Sequence, residues 1–247
     1  FTMTGVETLE VGSHTTRAHT VDLQNVTGLT KLVVHDSTAT GTNLTVDSVK
    51  SGLTIEGGTT TSNFEMSQVV DVNLEDASGT SDELTLNLVD ISGTSAGIDA
   101  TGFETVNIVA LANASTSTPD VISVAGTATT GQTGTIKITS GTQANKANDE
   151  VTLSSVGAGF TVIDASELEG ALKIQASARG SSAMTITGST KDSDTIAMEN
   201  ANDVLDGGGT TSAPGSDTIE ITFAGTGGAA VVDLAATDQI TLFNGVA

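Results

Sequence analysis

The hexapeptide Thr-Gly-Val-Glu-Thr-Leu at residues 4–9 returns almost unchanged as Thr-Gly-Phe-Glu-Thr-Val at residues 101–106. Looser copies follow the first one at intervals in the low twenties, as Thr-Gly-Leu-Thr-Lys-Leu at 27–32 and Ser-Gly-Leu-Thr at 51–54. A period of this length is the size of one unit in a solenoid, where each unit stacks on its neighbours and the stack buries a continuous core. The recurring phrase therefore predicts an elongated repeat fold.

Short runs of alternating apolar and polar residues, such as Val6–Val11, Leu84–Leu88 and Val106–Val109, recur along the whole chain. Alternation with period two indicates half-buried strands, and Gly, Ser, Thr, Asn and Asp bound each run as turn residues do. No convincing helical period exceeds about two turns. We predict an all-β fold, a β-solenoid or parallel β-helix-like repeat. A β-sandwich stays open as an alternative, although its strands do not usually repeat in sequence.

The composition of the 247 residues narrows the functional classes. Eight Lys and Arg stand against 30 Asp and Glu, giving a formal net charge of −22, and aromatic residues make up only 2%. Phosphates would be repelled by this balance, so nucleic acid is not an expected partner. The absence of Cys excludes disulfides and zinc–thiolate sites, and no apolar run is long enough for a transmembrane helix. A core with so few aromatics has to be thin and repetitive.

The organisation of the chain predicts one continuous body in two parts. Residues 1–187 are expected to form irregular solenoid rungs, and residues 188–247 rungs with RTX-like turns. The chain starts at Phe1 without an initiator Met or a signal-peptide pattern, so we expect an internal or processed piece of a longer protein. Residues 112–120 and 141–149 are expected to be exposed loops.

Three Gly/Asp turns carry the sharpest chemical signal. Residues 215–219 read Gly-Ser-Asp-Thr-Ile, a second copy spans 188–196 and a looser third copy spans 79–84. Glycines let the backbone turn tightly and direct its carbonyls inward, and the Asp adds a carboxylate. Ca²⁺ takes six to eight oxygen ligands of these two kinds. Two stacked turns of this type can therefore supply a calcium site.

The phrases at residues 99–108 and 200–209 resemble rungs of the RTX family, specifically the calcium-binding β-solenoid domains of bacterial surface-layer proteins, and the resemblance reaches motif strength from about residue 188 to 221. The resemblance implies export by a one-step secretion system, folding on meeting Ca²⁺ outside the cell, and assembly into a lattice or coat. It also implies the following metal ligands: Asp192, Asp194, Asp203, Asp206, Asp217 and Asp82 by carboxylate, and Gly207, Gly208 and Gly215 by backbone.

The expected function is accordingly structural and not enzymatic. Carboxylate pairs are abundant, but the lack of Trp and Tyr makes the sugar-stacking platform of a β-helix glycosidase improbable. We expect an extracellular subunit of a bacterial surface layer or sheath, stabilised by Ca²⁺ and assembling with copies of itself into a lattice, sheath or filament. Cell-surface polysaccharide is a further candidate partner. A repeat (stalk) segment of an RTX adhesin and the secretion domain of an exported enzyme are the alternatives.

Overall fold

The architecture is all-β in the part of the chain that the computed structural model describes. The described residues are strands, turns and extended segments without a helix, so none of them forms a helix that could cross a membrane. They comprise residues 1–13, 18–36, 44–57, 69–88, 97–111, 120–126, 133–142, 150–175, 182–198, 202–208, 217–222, 231–233 and 239–243.

Two ten-stranded parallel sheets account for almost all of the strands. Sheet 1 contains, in spatial order, β2 (Thr8–Ser13), β5 (Lys31–Asp36), β7 (Leu53–Gly57), β9 (Glu83–Leu88), β11 (Thr105–Ala110), β13 (Gly134–Ser140), β15 (Phe160–Glu167), β17 (Thr185–Thr187), β19 (Val204–Asp206) and β21 (Val231–Asp233). Sheet 2 contains β3 (His19–Asp22), β6 (Leu44–Val49), β8 (Val69–Leu74), β10 (Gly97–Asp99), β12 (Asp120–Ala125), β14 (Val151–Val156), β16 (Leu172–Ile174), β18 (Thr195–Met198), β20 (Thr218–Thr222) and β22 (Gln239–Phe243). A separate pair joins β1 (Met3–Thr4) to β4 (Val26–Thr27).

Successive strands enter the two sheets alternately, and each strand pairs in parallel with the strand one repeat earlier. The predicted repeat is visible in the register, where Leu9 pairs with Leu32 and Leu32 pairs with Ile55. Every described pair is parallel, whereas the sheets of an immunoglobulin-type sandwich are antiparallel. The all-β prediction is confirmed, and the strand order is consistent with a parallel β-helix.

One apolar core lies between the sheets. Inward positions alternate with outward ones, so Leu84, Leu86 and Leu88 of β9 are fully buried while the residues between them are not. In the parallel register Leu86 stacks on Ile108, and Ile108 stacks on Ile138. Residues of both sheets belong to the same cluster, which is built mainly from Val, Ile and Leu. The predicted thin, repetitive, aliphatic core is therefore present.

The segments between strands fall into two groups. Segments that run from sheet 1 to sheet 2 are called the 1-to-2 connections, and they begin at the carboxyl ends of the sheet 1 strands. Segments that run from sheet 2 to sheet 1 are called the 2-to-1 connections, and they end at the amino ends of the sheet 1 strands. Both sheets continue without a break across residues 187 and 188. In sheet 1, β17 pairs with β15 and with β19, and in sheet 2, β16 pairs with β18.

The repeat length varies because the connections differ in length. Hydrogen bonds between equivalent positions of successive repeats span 19 residues at Asp203, 22 at Glu104 and 23 at Asp217. The two predicted loops lie mostly outside the described residues. Asp120 is a correction to the first of them, because it begins β12 and is 4% exposed.

Candidate metal centre

The predicted ligands divide between the two groups of connections. Asp192 and Asp194 lie in the 1-to-2 connection before β18, and Gly207, Gly208 and Asp217 lie in the next one, before β20. Asp206 ends β19 beside them. Asp82 and Asp203 instead lie in 2-to-1 connections, at the other end of the sheet 1 strands, and so they do not join this group. Gly215 lies outside the described residues.

Asp194 is held between two repeats by its carboxylate. Its side chain is 1% exposed. Oδ1 accepts a hydrogen bond from the N–H of Leu172, one repeat earlier, at 2.7 Å, and Oδ2 accepts one from the N–H of Ser189 at 2.6 Å. The first bond satisfies a backbone N–H at the start of β16, and the second closes the turn at 188–194. A buried carboxylate is therefore an integral part of this connection.

Asp217 repeats the arrangement one rung further on. It is 1% exposed, and its Oδ1 accepts the N–H of Asp194 at 2.9 Å. Burial raises the pKa of Asp194 to about 8 and the charge of Asp217 contributes to the rise, although the N–H groups of Leu172 and Ser189 act to lower it. Two stacked carboxylates out of water repel each other, and only a proton or a cation removes that repulsion.

Glycines bring backbone oxygens close to these carboxylates. A Cβ added to Gly188 would collide with Asp194 Oδ2 and lie 2.7 Å from the carbonyl oxygen of Gly207. One added to Gly207 would collide with Asp217 Oδ2. Gly208 has a φ of 81°, and its added Cβ would collide with the carbonyl oxygens of Gly188 and Ser189. Two carboxylates and three carbonyl oxygens thus lie so close to the backbone of these glycines that a side chain at any of the three positions would collide with them.

Asp192 and Asp206 have a different role in the same two turns. The half-buried Asp192 accepts a hydrogen bond from the N–H of Ser193 through Oδ1 at 2.8 Å. The exposed Asp206 accepts one from the N–H of Gly208 through Oδ1 at 2.9 Å. Both carboxylates fix turns at the surface.

Four acids share one geometry, and we call them the bridging acids: Glu104, Asp194, Asp203 and Asp217. Each stands two residues before an apolar residue of the strand that follows, and each accepts the N–H of the equivalent residue in the preceding repeat. Asp203, which is fully buried, accepts the N–H of Met184 at 2.8 Å. Glu104 accepts the N–H of Asp82 through Oε2 at 2.9 Å. The pattern of an acid, any residue and an apolar residue is the sequence signal for this role.

Glu104 is the residue that reasoning from the sequence missed. It is 6% exposed, its Oε1 is buried, and that oxygen has no hydrogen-bond partner among the described residues. The same holds for Oδ2 of Asp82. An unsatisfied buried oxygen is costly, more so when it carries charge.

The donor set at 188–217 fits Ca²⁺ in chemistry, because hard carboxylate and carbonyl oxygens are the ligands that Ca²⁺ prefers. Over the described ranges no three His, Cys, Asp or Glu side chains converge as a metal group, so backbone oxygens would have to complete the coordination. Comparison with known proteins gives no match to a family model, to a curated protein or to a solved structure.

Proposed function

We propose that this chain is a structural segment of a secreted bacterial surface layer or sheath, a two-sheeted β-solenoid stabilised by Ca²⁺ at the connections around 188–217. The observation that carries the proposal is the stacked pair of buried carboxylates, Asp194 and Asp217, beside glycine turns. Burial and mutual repulsion disfavour the ionised pair, and a bound divalent cation reverses that penalty.

Asp194 and Asp217 would bind through carboxylate oxygens, and Gly188, Ser189 and Gly207 through carbonyl oxygens. When bound, Ca²⁺ supplies the positive charge that these oxygens lack. The chain itself holds the oxygens in place, because the N–H groups of Leu172, Ser189 and Asp194 fix the carboxylates. The missing side chains of Gly188, Gly207 and Gly208 allow the close approach.

The way in which these acids are used supports a structural role. Each bridging acid ties its own repeat to the preceding one, so it stabilises the stack instead of presenting a reactive group to a cleft. A chain without Cys that functions outside the cell needs a stabiliser other than disulfides, and Ca²⁺ is abundant there. Secretion, the surface layer and self-assembly are supported by the resemblance to RTX surface-layer domains.

The first test is thermal unfolding of the chain, followed by circular dichroism, in excess Ca²⁺ and in excess chelator. Ca²⁺ at about 100 times its dissociation constant adds about 2.7 kcal/mol of stability. For a chain of this size we expect a rise in melting temperature of roughly 5–10 °C. Identical melting curves in the two conditions would overturn the calcium role.

Matched variants locate the effect. The double variant Asp194→Asn/Asp217→Asn removes both charges and keeps the side-chain shapes, so its melting temperature should respond less to Ca²⁺ than that of the wild type. Asp22→Asn is the control, because the exposed Asp22 accepts the N–H of Gln24 and a hydrogen bond from the Ser48 side chain, and neither residue belongs to the 188–217 connections. A double variant that responds to Ca²⁺ as fully as Asp22→Asn would place the ion elsewhere.

A further inference from the structure

We propose a second cation site, independent of the one at 188–217, in which Asp82 and Glu104 hold a divalent cation between two consecutive 2-to-1 connections. The observation behind it is the pair of buried carboxylate oxygens, Asp82 Oδ2 and Glu104 Oε1, that no described group satisfies.

The two carboxylates are fixed next to each other by the backbone. The N–H of Asp82 donates to Glu104 Oε2 at 2.9 Å, and the carbonyl oxygen of Asp82 accepts the N–H groups of Glu104 at 3.0 Å and Thr105 at 3.1 Å. Glu104 is therefore attached to the Asp82 backbone by both its main chain and its side chain. Its carboxylate cannot turn to water without losing the hydrogen bond from Asp82.

Gly79 sets the position of the second carboxylate. An added Cβ at this residue would collide with Asp82 Oδ2 and lie 3.0 Å from Asp82 Cγ, so the Asp82 side chain lies directly against the Gly79 backbone. Two carboxylates with buried oxygens then share one small region. Their combined formal charge is matched by one hard divalent cation, which also supplies the missing partner for each oxygen.

An ion can reach this place from solvent. Asp82 borders a cavity of about 300 Å³ whose lining includes Glu75, Asp76, Ser78 and Gly79. Carboxylates in the wall attract cations and supply further oxygens near the path. Lys50 also lines this cavity, and it is the competing source of positive charge that an experiment has to separate from a bound ion.

The experiment is equilibrium dialysis of the full chain with radioactive Ca²⁺, with the thermal unfolding of each variant measured in chelator. Glu104→Gln should bind one Ca²⁺ fewer per chain than the wild type. Its amide oxygen can still accept the N–H of Asp82, and one of the two neighbouring negative charges is removed. We therefore expect this variant to melt at a higher temperature than the wild type in chelator.

Three further variants make the result decisive. Glu83→Gln removes a charge from the exposed side chain next to Asp82, and it should bind as many ions as the wild type. Asp194→Asn/Asp217→Asn should retain the ion at Glu104, so failure of one site is distinguishable from failure of the other. If Glu104→Gln does not fold, the number of Ca²⁺ ions bound per chain is measured on Asp82→Asn instead. An undiminished ion count in both Glu104→Gln and Asp82→Asn would overturn the site. If the melting temperature rose in these variants while the ion count stayed the same, a proton or Lys50 would be what balances the negative charge of Asp82 and Glu104 in the wild type.

Discussion

Asp194 is subject to two opposing effects at once. The N–H groups of Leu172 and Ser189 need an acceptor and favour the ionised carboxylate, whereas burial and the charge of Asp217 favour the protonated form. The second influence is larger, since it raises the pKa of Asp194 to about 8. The residue therefore stabilises the backbone by hydrogen bonding and weakens the fold by its charge, and the balance depends on pH and on cations.

Without Ca²⁺, Asp194 should make the protein less stable as the pH rises. Its pKa is about 8 in the folded chain against an ordinary 3.8, so the folded state binds the proton more tightly. The free energy of unfolding should therefore be largest below about pH 4 for this group and fall as the pH rises towards 8. The measurement is urea unfolding in chelator over this range, comparing the wild type with Asp194→Asn.

The comparison of the wild type with Asp194→Asn cancels the contribution of the other carboxylates, which both proteins share. Hydrogen bonds from Gln24 and Ser78 lower the pKa values of Asp22 and Asp76, so these two residues stabilise the fold as the pH rises. They do so equally in the wild type and in Asp194→Asn. The difference between wild type and variant therefore isolates Asp194. Parallel pH profiles for the two proteins would contradict the raised pKa, because they would mean that Asp194 has the same pKa in the folded and unfolded states.

The sequence predicted the glycine–aspartate turns but not how their acids are used. Gly188, Gly207 and Asp194 could be identified because turn glycines and carboxylates stand together in the chain. Glu104 was missed although it fits the pattern of an acid, any residue and an apolar residue, since its role depends on the N–H of Asp82, which only the pairing of two repeats brings within reach. Asp203 was grouped with Asp194 because the two are close in sequence, whereas Asp194 lies in a 1-to-2 connection and Asp203 in a 2-to-1 connection.

Individual strands are specified by the alternation of their residues and by the register of their neighbours. The longer strands were easier to recognise in the sequence. In β9 three leucines alternate with polar residues, and in β11 Val106 and Ile108 stand on either side of Asn107. The three-residue β10 has only Ile98 as a bulky apolar residue and was missed, because its pairing with β8 and β12 defines it. The variable repeat length also hid strands, since connections of different length interrupt any fixed period.

Substitution by threonine should destabilise the fold at an inward position of a strand and have little effect at the neighbouring outward position. Ile108→Thr places a hydroxyl in a fully buried position between Leu86 and Ile138, and we expect a loss of about 2–5 kcal/mol. Val109→Thr changes a half-exposed outward residue of β11, and we expect a change within about 0.5 kcal/mol. Urea unfolding measures both, and equal losses would contradict the assigned faces.

At the scale of the whole molecule, charge is the dominant property. Among the described residues, four lysines pair with glutamates of neighbouring repeats: Lys31 with Glu56 at 3.5 Å, Lys137 with Glu167 at 3.4 Å, Lys191 with Glu169 at 3.0 Å, and Lys173 with Glu150. These pairs are partly exposed, and each contributes about 0.2–1 kcal/mol. The net charge of −22 already includes these lysines, so a large excess of negative charge remains along the molecule.

Copies of this chain should therefore assemble only when cations reduce their mutual repulsion. We expect electron microscopy to show sheets, tubes or filaments after addition of Ca²⁺, and dispersed particles in NaCl of equal ionic strength. The control separates specific binding from general screening, which acts with any salt. Particles that stay monomeric in Ca²⁺ would count against the surface layer and favour the adhesin stalk.

The parallel pairing of both sheets has a mechanical consequence. Backbone hydrogen bonds between repeats run along the stacking direction, so a pull on the two ends loads the outermost repeat first and separates repeats one after another. Each detached repeat would release between about 19 and 32 residues, the separations at which β17 pairs with β19 and β12 with β14, or roughly 65–110 Å of extended chain. The bridging acids cross these same boundaries, so an ion bound beside them would raise the force at which the molecule begins to lengthen.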